Sequence, residues 1–148
     1  MAIVQRTFPA SPDQVFAVLS DGWTYSDWVV GTAHIRDVDT DWPSPGAQIH
    51  HKAGLWPVHL KDKTVSLSCD PPRELIVQPH LWPWGELTVR FTLEPISAEE
   101  TRLTLAEEFA AGPLKWTRNK VNDLMLHYRN KEALRRLADI AERRRSHS

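Results

Sequence analysis

All eleven prolines and all six glycines of this 148-residue chain fall at or before Pro113. From Leu114 onward no residue breaks a helix, so the tail is predicted as one long helix reaching about Arg144. Upstream the pattern is that of strands: Val29–Asp39 with Gly31 as a possible bulge, then Ala47–Ala53, Val58–Cys69 and Glu74–Pro79. Two further strands follow. Leu87, Val89, Phe91 and Leu93 alternate with Glu86, Thr88, Arg90 and Thr92; beyond the connection Pro95–Glu100, Leu103, Leu105, Glu107 and Phe109 alternate with Thr104, Ala106 and Glu108. Strands joined by short turns form an antiparallel meander with one apolar face, and only the tail helix is large enough to cover it.

The front of the chain is compatible with that plan. Ile3–Phe8 reads as a first strand. Ser11 is an N-cap, Pro12 suits the first helical position, Gln14 completes a capping box, and Val15, Phe16, Val18 and Leu19 supply the apolar stripe. Trp23–Trp28 reads as a further turn or two of helix, and Trp42–Gly46 as a turn. The expected architecture is α+β: a curved antiparallel sheet of about seven strands, in the order β-α-α-β6-α, wrapped around the C-terminal helix as a single domain over residues 1–148.

Composition excludes several function classes. Eighteen Lys and Arg against nineteen Asp and Glu leave no net field to attract nucleic acid or an anionic membrane. The single Cys69 excludes an internal disulfide framework and a cysteine-rich zinc site. No apolar run reaches membrane-spanning length, and Met1–Phe8 is not a signal peptide, so a soluble cytoplasmic protein is expected. No metal-ligand spacing, nucleophile triad or glycine-rich phosphate loop is present, and no metal or cofactor is expected.

These residues resemble the START-like, or helix-grip (SRPBCC), superfamily of the bacterial polyketide cyclase/dehydrase and lipid-transport type. The likeness lies in Ala10-Ser11-Pro12-Asp13-Gln14-Val15-Phe16, Leu19-Ser20-Asp21 and Tyr25-Ser26-Asp27-Trp28. It continues in Pro45-Gly46, Asp70-Pro71-Pro72-Arg73-Glu74-Leu75, Thr101–Glu108 and Arg129–Leu137, in that order over essentially the whole chain. The resemblance implies a helix-grip fold with a cavity between sheet and long helix that takes an apolar or amphipathic molecule. It implies no catalytic residue, because no single motif spans the family.

Glu107 has the parity of Leu103, Leu105 and Phe109 and so faces the helix, where an ionised carboxylate needs a partner or a wet cavity. It is a candidate acid or base. Alternatively, a bulge near Ala106 turns it outward, or it pairs with an arginine at the sheet's end. In Val58–Cys69 the apolar residues change parity, so a bulge is expected between Lys61 and Thr64, with Asp62 or Thr64 aimed inward; otherwise Lys61-Asp62-Lys63 is a solvated strip. His50 and His51 must point to opposite faces. His51 shares parity with Ile49 and is either a ligand contact and candidate acid or base, or a satisfied core residue.

Seven tryptophans stand out. Trp56, Trp82 and Trp84, beside prolines, suit a pocket rim or an ordinary core cap, and Trp28 suits the core. On the tail helix Val121, Leu124, Met125 and Tyr128 share one face, while Leu126, Ala133, Leu134, Leu137, Ile140 and Ala141 share roughly the opposite one. Met125 and Tyr128 are expected to face the cavity floor. The set expected to contact a ligand is Trp28, His51, Trp56, Asp62, Trp82, Trp84, Phe91, Glu107, Met125 and Tyr128. Binding of a small hydrophobic or aromatic ligand is the leading expectation. A polyketide or aromatic cyclase-dehydratase using Glu107 or His51 is the alternative, and a protein-interaction module or homodimer using the Trp-rich rim is a third.

Overall fold

The computed structural model describes residues 2–29, 32–53, 60–81, 85–111 and 120–146. The described residues form seven strands: β1 (Ala2–Phe8), β2 (Thr32–Val38), β3 (Gln48–Ala53), β4 (Leu60–Asp70), β5 (Glu74–Leu81), β6 (Gly85–Ser97) and β7 (Glu100–Ala111). Helix α1 (Pro12–Leu19), a single 3₁₀ turn and α2 (Tyr25–Trp28) lie between β1 and β2, and α3 (Lys120–Ser146) follows β7. All neighbours are antiparallel, in the order β1-β7-β6-β5-β4-β3-β2. This is the helix-grip architecture expected from the sequence.

Local chemistry explains the boundaries. Ser11 Oγ accepts the Gln14 amide at 3.2 Å while Gln14 Oε1 accepts the Ser11 amide at 2.9 Å, so the capping box closes and α1 starts at Pro12. Gly46 sits at φ 91°, which an L side chain tolerates poorly, and ends the turn before β3. Gly22 is needed for another reason: a Cβ there would stand 2.9 Å from Val38 Cγ1 and 3.1 Å from Ile49 Cδ1.

The core joins α1, α2, the inner sheet face and the C-terminal half of α3. Phe8, Val15, Leu19, Leu75, Leu103, Leu134 and Leu137 are fully buried. Trp28 lies against Tyr25 and meets Phe91 edge-on at 5.8 Å, so both Trp28 and Phe91 are core residues. Trp42 is buried too and directs Nε1 at the Leu19 carbonyl, which also accepts the Tyr25 hydroxyl.

The parity change in β4 lies elsewhere than expected. Pairing of β3 with β4 is regular from Gln48↔Val65 to Ala53↔Leu60, so nothing shifts between Lys61 and Thr64. The irregularity falls between Ser66 and Ser68, opposite β5. Val65 and Leu67 are on the outer face, where Leu67 is 45 % exposed; Thr64 and Ser66 occupy the inner face. The inner hydroxyls are tolerated because each is bonded, Thr64 to His51 and Ser66 to the Pro43 carbonyl at 2.7 Å.

Candidate functional site

Sheet register sorts the inner face into rows. Leu105, Phe91, Leu75 and Cys69 form one row across β7, β6, β5 and β4; Glu107, Val89, Val77 and Ser66 form the next. Then come Leu87 on β6, Pro79 on β5, Thr64 on β4 and Ile49 on β3, followed by Asp62 opposite His51. Along this direction polar groups replace apolar ones. Asp62 and Pro79 are only half-buried, whereas Leu75, Val77, Val89 and Leu105 are buried.

Glu107 is 1 % exposed, inward as its parity predicts. No bulge turns it out, since β7 pairs regularly with β1 and β6 through this position. Its partner is Arg129, whose Nη2 donates to Oε1; the cation comes from α3 rather than from the sheet's end. Burial pushes the Glu107 carboxyl above the usual carboxylate range, opposed by the charge of Arg129 and by Asn130. Asn130, itself 3 % exposed, favours the ionised form through a side-chain hydrogen bond.

His51 is 3 % exposed and shares a 3.0 Å hydrogen bond between Nε2 and the Thr64 hydroxyl. Its Nδ1 is buried, and the Lys63 backbone also hydrogen-bonds the imidazole. Burial lowers its pKa, and Asp62, its cross-strand neighbour, acts the other way. The imidazole is therefore neutral at pH 7. His50 points to the opposite face, where Nε2 meets Asp39 Oδ1 at 3.2 Å, so the two histidines do not converge. Asp62 accepts the Lys63 amide at 2.9 Å from a half-buried position.

His51 and Glu107 are not a dyad. Their strands are four spacings apart, about 19 Å measured along the sheet.

Tyr128 departs from expectation: it is 76 % exposed, and Leu124 on the same face is 69 % exposed. That face continues into exposed Lys131 and Arg135, while Asn130, Ala133, Leu134, Leu137 and Ala141 turn inward. Leu124 and Tyr128 of the first apolar stripe thus lie on the outside of the helix. Trp56, Trp82, Trp84 and the side chain of Met125 lie outside the described residues. Arg129 and Asn130 escaped the sequence reading as site residues, although an inward Glu107 called for a cation on the facing helix. A separate groove of about 460 Å³ runs between β1 and α3, lined by Ile3, Val4, Gln5, His127 and Lys131. Among the described residues no helix is long and apolar enough to cross a membrane, and no cluster of three metal-ligating side chains occurs.

Comparison with known proteins matches this architecture. The ZhuI aromatase/cyclase from Streptomyces sp. R1128 superposes with a TM-score of 0.73 at 18% identity, over 97% of this chain and 93% of that one. A protein from Nitrosomonas europaea gives 0.73 at 17%, over 97% and 95%. One from Arthrobacter aurescens gives 0.73 at 15%, over 95% and 85%. At such identities the likeness concerns the fold. No curated protein matches in sequence. The family model described as polyketide cyclase/dehydrase and lipid transport matches residues 2–142, and the chain belongs to that family.

Proposed function

We propose that the protein holds a small hydrophobic or aromatic molecule, lipid- or polyketide-like, where the inner sheet face carries His51, Thr64 and Asp62. The observation behind this reading is the change along the strands: side chains at one end are sealed, whereas Asp62 and Pro79 at the other are half-buried beside a buried imidazole. Family membership supports the same class of ligand. Apolar burial at about 25 cal/mol per Å² would supply affinity, and the few polar groups would set orientation. Titration with a fatty acid and with a polycyclic aromatic, followed by tryptophan fluorescence, should saturate at one site for at least one of them. Failure of both to saturate would sink the reading. Glu107→Gln should retain binding.

A second reading, a cyclase-dehydratase, is favoured by one observation: a buried carboxyl held above its usual pKa beside an arginine. In that case Glu107→Gln would lose turnover while keeping affinity. A third is self-association through exposed Ile3, Leu124 and Tyr128, to be tested by sedimentation of Tyr128→Ser against the unaltered chain.

A further inference from the structure

The groove between β1 and α3 is lined by Ile3, Val4 and Gln5 on one side and by His127 and Lys131 on the other. Side chains alternate along a strand. Val4 is buried with the inner face, whereas Ile3 and Gln5 are exposed on the outer one, where Gln5 Nε2 donates to Thr104 Oγ1 at 3.1 Å. Three successive residues can share one groove only at the edge of the strand, so the groove follows the backbone of β1. This strand is the last of the sheet and pairs with β7 alone, in unbroken register from Ala2↔Glu107 to Phe8↔Thr101. Its backbone groups on the other side make no hydrogen bond among the described residues. The opposite edge of the sheet is blunted, because β2 carries two register shifts against β3. β1 has neither a shift nor a proline.

Charge marks the same groove. Arg129, Arg135, Arg136 and Arg144 of α3 each meet a carboxylate. Exposed Lys131 and Arg6, the next inward position of β1 after Val4, meet none among the described residues. No carboxylate lines the groove among those residues either. We infer that the free edge of β1 takes an extended acidic peptide from a partner protein as an added strand, its backbone bonding β1 and its carboxylates facing Lys131, Arg6 and the His127 imidazole. The inner face of such a strand is the one turned to α3, so acidic residues belong at alternate positions. The positions between them lie beside Ile3, which is 53 % exposed, and suit β-branched side chains. Two copies of this chain joined edge to edge about a two-fold axis would set Lys131 and Arg6 of one near those of the other. Like would face like, so charge favours a foreign strand over a second copy.

The test titrates the full chain with a fluorescent octapeptide of alternating Glu and Val, read by anisotropy at about 0.05 M salt, against its Lys-Val counterpart. The acidic peptide should saturate a single site and weaken as salt is raised, and the basic one should not bind. Lys131→Glu, a change at an exposed position, should weaken the acidic peptide about tenfold. N-methylation of alternate peptide amides separates backbone pairing from charge alone: methylating one alternate set should abolish binding, and methylating the other should change it little. The inference is overturned if both peptides bind alike or neither binds, if Lys131→Glu leaves the affinity unchanged, or if both methylated peptides bind as the parent does. Sedimentation supplies the remaining outcome. A chain that pairs with itself at the same concentrations, and is separated by the acidic peptide, has a second copy on this edge, which also overturns it. None of these results bears on the interior ligand site, so the two readings fail separately.

Discussion

The two halves of α3 are built to different rules. From Ala133 to Ala141 the helix buries Ala133, Leu134, Leu137, Ala138 and Ala141 against α1, α2 and the sheet, and an Arg144–Asp21 ion pair of 2.6 Å ties its end to the chain after α1. Before Asn130 the described side chains Leu124, His127 and Tyr128 are exposed, and the junction is polar, with Arg129 and Asn130 meeting Glu107. One half supplies stability through close packing. The other spends apolar residues on solvent and places charged and amide groups over the sheet, an arrangement that makes sense only if stability is not its main task.

That contrast can be broken by measurement. The largest effects belong to the packed half: Leu137→Ala should cost about 2–5 kcal/mol in denaturant unfolding, and Leu134→Ala a similar amount, because both side chains are fully buried. Leu124→Ala should change stability by less than about 0.5 kcal/mol. Equal costs for Leu124 and Leu137 would erase the distinction between the halves.

At the junction, Arg129→Met strands the Glu107 carboxylate and should cost about 3 kcal/mol at pH 7. The sign of its pH dependence is fixed. The folded-state pKa of Glu107 lies above its ordinary 4.5, so the folded form takes up a proton more readily than the unfolded chain, and the burial penalty eases as pH falls through the folded value. The loss in Arg129→Met should therefore shrink in acid; a loss independent of pH would mean that the carboxylate finds another partner.

His51 has the opposite sign. Its folded pKa is depressed by burial below the ordinary 6.5, so the unfolded chain binds a proton that the folded state refuses. Its contribution is full above about pH 6.5 and is lost as pH falls from there towards the folded value. His51→Leu should flatten that part of the stability profile, and an unchanged profile would place the imidazole in a wetter setting. The smallest effect is expected for Glu132→Gln. The carboxylate of Glu132 is lowered to about 2 by Arg135 and Arg136, but the group is exposed on the outside of α3, and unfolding should barely register its loss.

Parity carried much of this into the sequence. Glu107 sits between Leu105 and Phe109 in an alternating run, so its inward direction was legible, as were the capping box at Ser11 and the opposed faces of His50 and His51. Parity failed in β4, where Val65 and Leu67 look like core residues and are not. A strand with apolar residues on both faces does not announce which face is inside; the inward Thr64 that the sequence allowed is held by His51, and Ser66 beside it by the Pro43 carbonyl. Tyr128 failed for a related reason. The tail carries two apolar stripes, and amphipathic periodicity alone cannot choose between them.

What the sequence determined by itself was the order of elements and the covering role of the tail, because breakers, caps and alternation are local properties encoded within a few residues. What the tertiary structure decided was which helix stripe turns inward, that Arg129 answers Glu107, and that His51 and Glu107 stand four strands apart. These depend on sheet register and on the rotation of one helix against it, set by contacts between residues distant in the chain.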